Sequence, residues 1–205
     1  MRDRDLCEKK IDILWQSFLD GDDKCFSVIY QQHVGRMLLY GKKLSTDQEL
    51  LHDCIQEVFI DLFTKRTTLG KKIKNLKAYL FVALRNSILK KITINRKYET
   101  IDLAEEKQEL NFNVEYSFQD VLIDKEISDE VHSSLKRAIN SLPAKQKEII
   151  YLKFEEEMEY PEISEILQIS IESSRKLLYR ALLTLRNRMN SVSFRVFFVA
   201  FLKKS

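Results

Sequence analysis

The sequence predicts an all-α fold, with two small helical domains joined by an acidic linker. Three observations carry that expectation. Gly occurs only 4 times and Pro only 2 times in 205 residues, while Leu, Ile, Lys and Glu abound, so turn formers are scarce and helix formers plentiful. Hydrophobic residues make up 44% of the chain, enough for a packed core. The net charge of +3 hides a strong segregation along the sequence. Residues 62–98 hold eleven bases and no acid, residues 99–130 hold eleven acids against Lys107 and Lys125, and from Ser173 onward there are eight bases and no acid.

Each element has a local reason. "LCEKKIDILWQSFL" is apolar at helical spacing and is broken by "GDDKC", with an Asp cap. A second helix is expected from about Phe26 to Leu44, a third from about Asp47 to Lys65, and a fourth from near Asn75 through "LKAYLFVALRNSILKKI". Between the last two lies "RTTLGKKIK", a basic loop marked by Gly70. Residues 100–128 lack a sustained period and are expected as an extended linker, with Phe112, Tyr116 and Phe118 as sticky points. A second domain begins near Asp129 with "DEVHSSLKRAINSL". Pro143 starts the next helix, "PAKQKEIIYLKFEEEM", then come a short helix "PEISEIL", the turn "QIS" and a long helix from Ile171 to about Met189.

A short helix, a three-residue turn and a longer basic helix form a helix-turn-helix pattern. On a wheel Ile171, Leu178, Ala181, Leu182, Leu185 and Met189 face inward, and Ser173, Arg175, Lys176, Tyr179, Arg180 and Arg186 face out. Such a helix can set its first turn against base edges and its arginines on phosphates. Gln168 stands where the turn favours Gly, and Ser174 falls on the inward face, where it can bond a carbonyl one turn back.

In "DCIQEVFIDLF" (53–63), Leu51, Ile55, Val58 and Leu62 form an apolar stripe, and Asp53, Glu57 and Asp61 with Gln56 form a carboxylate stripe opposite. Ile60 is an apolar knob within the polar stripe. The acid-free stretch that follows would hold about six acids at this chain's average of 31 in 205. Bases interleaved with rings suit single-stranded nucleic acid, where bases stack and cations track phosphates. Tyr79 and Phe81 are candidates for that role or for the core. Tyr79, Arg85, Asn86 and Lys90 are expected on the side of the fourth helix away from Leu76, Leu80, Leu84 and Ile88.

Cys7, Cys25 and Cys54 are odd in number and form no Cys-x-x-Cys pair, which fits a reducing compartment. His33, His52 and His132 have no ligand spacing, so no metal and no cofactor is expected. The opening "MRDRDLCEKK" is charged throughout, unlike a signal peptide, and no apolar run reaches the ~18–20 residues needed to span a bilayer. A cytoplasmic protein is the expectation. No nucleophile–base set or Gly-rich phosphate loop points to an enzyme or a small-molecule substrate.

"GDDKCFSVIYQQHVGRMLLYGKKL", "DCIQEVFIDLF" and "NLKAYLFVALRNSILKK" resemble region 2 of the extracytoplasmic-function (ECF) sigma factors of bacterial RNA polymerase. "LPAKQKEIIYLKFEEEMEYPEISEILQISIESSRKLLYRALLTLR" is similar to their region 4. The resemblance implies a region 2 helical bundle at 1–98, a linker at 99–129, a region 4 helix-turn-helix domain at 130–190 and an apolar tail at 191–205. It implies that Asp53, Gln56, Glu57, Ile60 and Asp61 dock on the β′ clamp helices of core polymerase, whose β flap is a further partner. Lys65, Arg66, Lys71, Lys72, Lys74, Asn75, Lys77, Tyr79, Arg85, Asn86, Lys90 and Lys91 would hold and melt the −10 element. Ser173, Arg175, Lys176, Tyr179 and Arg180 would read the −35 element. Tyr79 stands where the family often has Trp. The family also implies an anti-sigma factor as partner. The competing reading is a regulator that binds duplex DNA without core polymerase. For the tail "SVSFRVFFVAFLKKS" three roles stay open: a final core helix, an anti-sigma dock or a membrane-surface anchor.

Overall fold

The computed structural model describes residues 13–69, 73–99, 112, 129–191, 193–195 and 197. The chain divides into two units, Met1–Ala104 and Glu105–Ser205. Every element among the described residues is helical.

In the first unit, α1 covers residues 13–19 and ends at Gly21, whose φ of 111° suits a residue without a Cβ. Asp22 then caps α2 (Asp23–Leu44) by accepting from the Lys24 N–H. Asp47 caps α3 (Gln48–Thr64) through the Leu50 N–H at 3.0 Å. The expected basic loop opens with a single helical turn, α4 (Arg66–Leu69), before Asn75 accepts from the Ala78 N–H and starts α5 (Leu76–Glu99). Helices α2, α3 and α5 pack on one another pairwise. Their core holds Ile29, Met37, Tyr40, Leu51, Leu62, Leu80, Phe81 and Leu84, each at most 0% exposed. Gly41 permits the close approach of α2 and α3: a Cβ there would stand 3.0 Å from Leu51 Cδ2.

Because α5 packs against two helices, its buried face is wider than one stripe. Ala78, Phe81 and Arg85 are buried along with Leu76, Leu80, Leu84 and Ile88. Phe81 is therefore a core ring, stacked on Tyr40 at 4.9 Å. Arg85, expected on the outward side, is corrected by the same geometry: it is only 6% exposed.

The second unit is built from shorter helices. They are α6 (Asp129–Asn140), α7 (Ala144–Ile150), α8 (Tyr160–Leu167) and α9 (Ile171–Arg188), and α9 packs against the other three. The long helix expected after Pro143 stops being α-helical at Ile150 and widens into a π turn, Tyr151–Glu155. There the Glu156 N–H reaches back to the Tyr151 carbonyl, and the buried Tyr151 hydroxyl donates to Glu156 Oε1 at 2.8 Å. Phe112, 1% exposed, seats against the Tyr151 ring at 6.0 Å, while Tyr116 and Phe118 lie outside the described residues. Within the tail Phe197 is buried and meets Phe154 at 6.0 Å, so this part of the tail joins the core of the unit.

Gln168 takes the left-handed conformation, φ 54° and ψ 47°, and the Ile169 N–H returns to the Ser164 carbonyl to close α8. Ser170 then caps α9 through the Ser173 N–H. Ser174 is fully buried and its hydroxyl donates to the Ile171 carbonyl at 2.7 Å. Ile171 departs from the wheel, being 42% exposed at the first position of the helix, while Leu178, Ala181, Leu185 and Met189 are buried as expected. Among the described residues no helix is long and apolar enough to cross a membrane.

Candidate polymerase and DNA interfaces

Helix α3 presents the carboxylate stripe to solvent. Asp53, Gln56, Glu57 and Asp61 are all exposed, and Ile60 stands out at 52%. Ile60 borders an apolar groove of about 520 Å³ between α2 and α3, with Phe26, Tyr30, Val34, Phe59 and Phe63 among its walls. These groove residues of α2 and α3 escaped the sequence reading. Their signal was two aromatic pairs at i, i+4, Phe26–Tyr30 and Phe59–Phe63, which meet with Tyr30 and Phe59 centroids 4.7 Å apart and Phe26 and Phe63 centroids 5.0 Å apart. The face thus combines a hydrophobic slot with a rim of carboxylates.

That rim is tied to α5. Lys91 Nζ lies 2.8 Å from Glu57 Oε1 and 4.0 Å from Asp53 Oδ2, and the Ser87 hydroxyl donates to Glu57 Oε2 at 3.1 Å. The hydrogen bond from Lys91 holds the Glu57 carboxyl below its usual 4.5. Burial is the largest single influence and would lower the Lys91 ammonium, but the hydrogen bond to Glu57 together with the charges of Cys54, Glu57 and Asp53 outweighs it and raises the group above 10.5. Two residues assigned to different partners are therefore one ion pair in the free chain. Cys54 sits beside this pair, buried, its thiol pushed up by desolvation.

The basic stretch is less uniform than its sequence. Lys65 pairs with Asp61 at 2.8 Å, and Lys77 Nζ lies 5.9 Å from the Phe81 ring centroid. Arg66 is also tied into the fold. Its guanidinium pairs with Asp23 and lies 5.4 Å from the Phe18 and 5.5 Å from the Phe63 ring centroids, which anchors α4 to α1 and α2. Lys74, Asn75, Asn86 and Lys90 are exposed, and Tyr79 is half-buried, its hydroxyl pushed up by burial. Lys71 and Lys72 lie outside the described residues.

On α9, Ser173, Arg175, Lys176, Tyr179 and Arg180 are all exposed, Tyr179 at 67%. Lys176 pairs with Glu172 at 2.6 Å, and Arg175 lies over the Tyr160 ring, 5.4 Å from its centroid. Among the described residues no group of His, Cys, Asp and Glu could hold a metal ion.

Comparison with known proteins agrees with this organisation. Residues 29–98 match the model of Sigma-70 region 2, and residues 132–185 match that of Sigma-70, region 4. A protein of Haemophilus influenzae described as "Probable RNA polymerase sigma factor" is 25% identical over 167 residues, covering 77% of this chain and 86% of its own length.

Proposed function

The chain belongs to the sigma-70 family with the two-region organisation of its ECF members, and from that premise we propose that it binds core RNA polymerase through α3, melts the −10 element with its first unit and reads the −35 element with α9. The observation that carries the proposal is Ile60 exposed at the mouth of an apolar groove, with Asp53, Glu57 and Asp61 exposed beside it on the same helix. An apolar anchor inside a charged rim gives affinity at the centre and steering at the edge, and its acidity suits the basic clamp helices of β′.

Lys65, Lys74, Asn75, Lys77, Tyr79, Asn86, Lys90 and Lys91, with Lys71 and Lys72, would follow the phosphates of the opened strand, while Arg66 and Arg85 brace the fold. Ser173, Arg175, Lys176, Tyr179 and Arg180 would enter the major groove of duplex DNA. Two DNA surfaces on one chain bind with avidity, because the second contact is intramolecular. The chemistry belongs to the polymerase.

Run-off transcription with purified core polymerase on a genomic fragment library tests this reading. Discrete start sites that depend on the added protein are expected. A folded chain that binds neither core nor any promoter, and yields no new starts, sinks it.

A further inference from the structure

Tyr160 is the first residue of α8, and its ring meets the proposed DNA-reading surface at Arg175. Its ring receives two cations: Lys153 Nζ at 5.2 Å and Arg175 Cζ at 5.4 Å from the centroid. Lys153 comes from the π turn and is itself held by Glu159 at 3.1 Å. Glu159 is fixed in turn, because it forms a capping box with Glu162 at the start of α8. A chain of contacts therefore runs from the capped end of α8 through one half-buried ring to an exposed arginine on α9.

We propose that Tyr160 is a positioning residue for Arg175, setting the guanidinium in one orientation before DNA arrives, so that the base step under Arg175 is selected through a residue that does not touch it. The proposal rests on the assignment of α9 to promoter reading. The physical reason is entropic. A free arginine carries several rotatable bonds and loses that freedom on meeting a base edge, whereas a guanidinium already stacked on a ring loses less. The neighbouring Lys176 pairs instead with an exposed residue one turn back on its own helix, Glu172, which gives no fixed frame. The second cation has a role here as well. Lys153 and its Glu159 partner brace the ring, which then serves as a fixed platform instead of a swinging side chain.

A double-mutant cycle in the full-length protein tests this. The variants are Tyr160→Leu, Tyr160→Phe, Arg175→Ala and Tyr160→Leu with Arg175→Ala. Each is assayed with core polymerase on a promoter set carrying all four base pairs at every −35 position. Tyr160→Leu is expected to lose about threefold to tenfold of the discrimination at the one or two positions that Arg175→Ala also relaxes. Tyr160→Phe, which keeps the ring, is expected to retain it. In the Arg175→Ala background Tyr160→Leu is expected to change discrimination no further. Equal losses of Tyr160→Leu with and without Arg175 would overturn the proposal and leave Tyr160 as a packing residue. So would a Tyr160→Leu protein that discriminates like its parent. A parent chain that selects no −35 sequence at all would instead overturn the promoter assignment of α9, a result visible before any Tyr160 variant is made.

Discussion

In the first unit the three helices that pack pairwise run from 17 to 24 residues, whereas in the second the helices run from 7 to 18 residues and the junctions carry the unusual backbone. Glu157 and Gln168 both have positive φ there, and the π turn lies just before the first of them. Buried polar groups follow the same division, with Glu148, Glu156, Ser164, Ser174 and Ser193 in the second unit against His33 and Arg85 in the first. The difference teaches how each surface is made. Long packed helices hold the α3 groove rigid and leave its charges to be steered by ion pairs across to α5. The short helices of the second unit are joined by turns with positive φ, and the one at Gln168 leads into α9.

The largest effects that would separate the units come from their cores. Phe81 is fully buried in the first and Phe112 is 1% exposed in the second. Truncation to Ala at either should cost about 3–5 kcal/mol. Calorimetry is expected to show Phe81→Ala lowering the melting of the first unit and Phe112→Ala that of the second. Were Phe112→Ala to leave both unchanged, Phe112 would not belong to the second core.

Next in size is the acidic rim. Asp53→Lys combined with Glu57→Lys places two cations beside Lys91 and opposes a basic partner, and a loss of roughly hundredfold in core affinity is expected with the fold intact by circular dichroism. Binding that survives the reversal would separate α3 from the core-binding role.

The turn at Gln168 gives a smaller, opposite change. A left-handed residue other than Gly carries a steric cost, so Gln168→Gly should stabilise the second unit by about 1 kcal/mol. Urea titration reads it as a higher midpoint at constant slope. A substitution without effect, or a destabilising one, would show that the turn is held by contacts that outweigh its backbone preference.

These positions also show what a sequence can disclose. The caps at Asp22, Asp47, Asn75 and Ser170 are legible because capping is local chemistry: a side-chain oxygen reaches an N–H two or three residues on. The left-handed turn at Gln168 is legible for the same reason, as is Ile60, an apolar residue misplaced on its own helix. Arg85, Arg66 and the groove walls are not, because each depends on a second helix. A single wheel for α5 assumes one packing partner, and two partners bury Arg85. Likewise Arg66 reads as one more base in a basic run until Asp23 and two rings are folded around it. At the π turn Tyr151 meets both Glu156 and Phe112, contacts that no periodicity encodes.

The smallest effect sharpens the comparison most, because it is confined to one unit and one pH range. Glu57 titrates below 4.5 in the folded chain, so its pairing with Lys91 stabilises the fold above that value and is lost as pH falls through the depressed folded-state pKa. The raised Lys91 describes the same pair from the other side, with stability lost only as pH climbs past 10.5. Both partners are partly in water, so the contribution is at most about 0.5 kcal/mol and fades in high salt. Lys91→Met should therefore destabilise the first unit slightly at pH 6 and not at all well below pH 4, leaving the second unit's acid limb unchanged. A Lys91→Met difference that persists at low pH would mean that the lysine stem packs against α3, and that its charge is free for another partner.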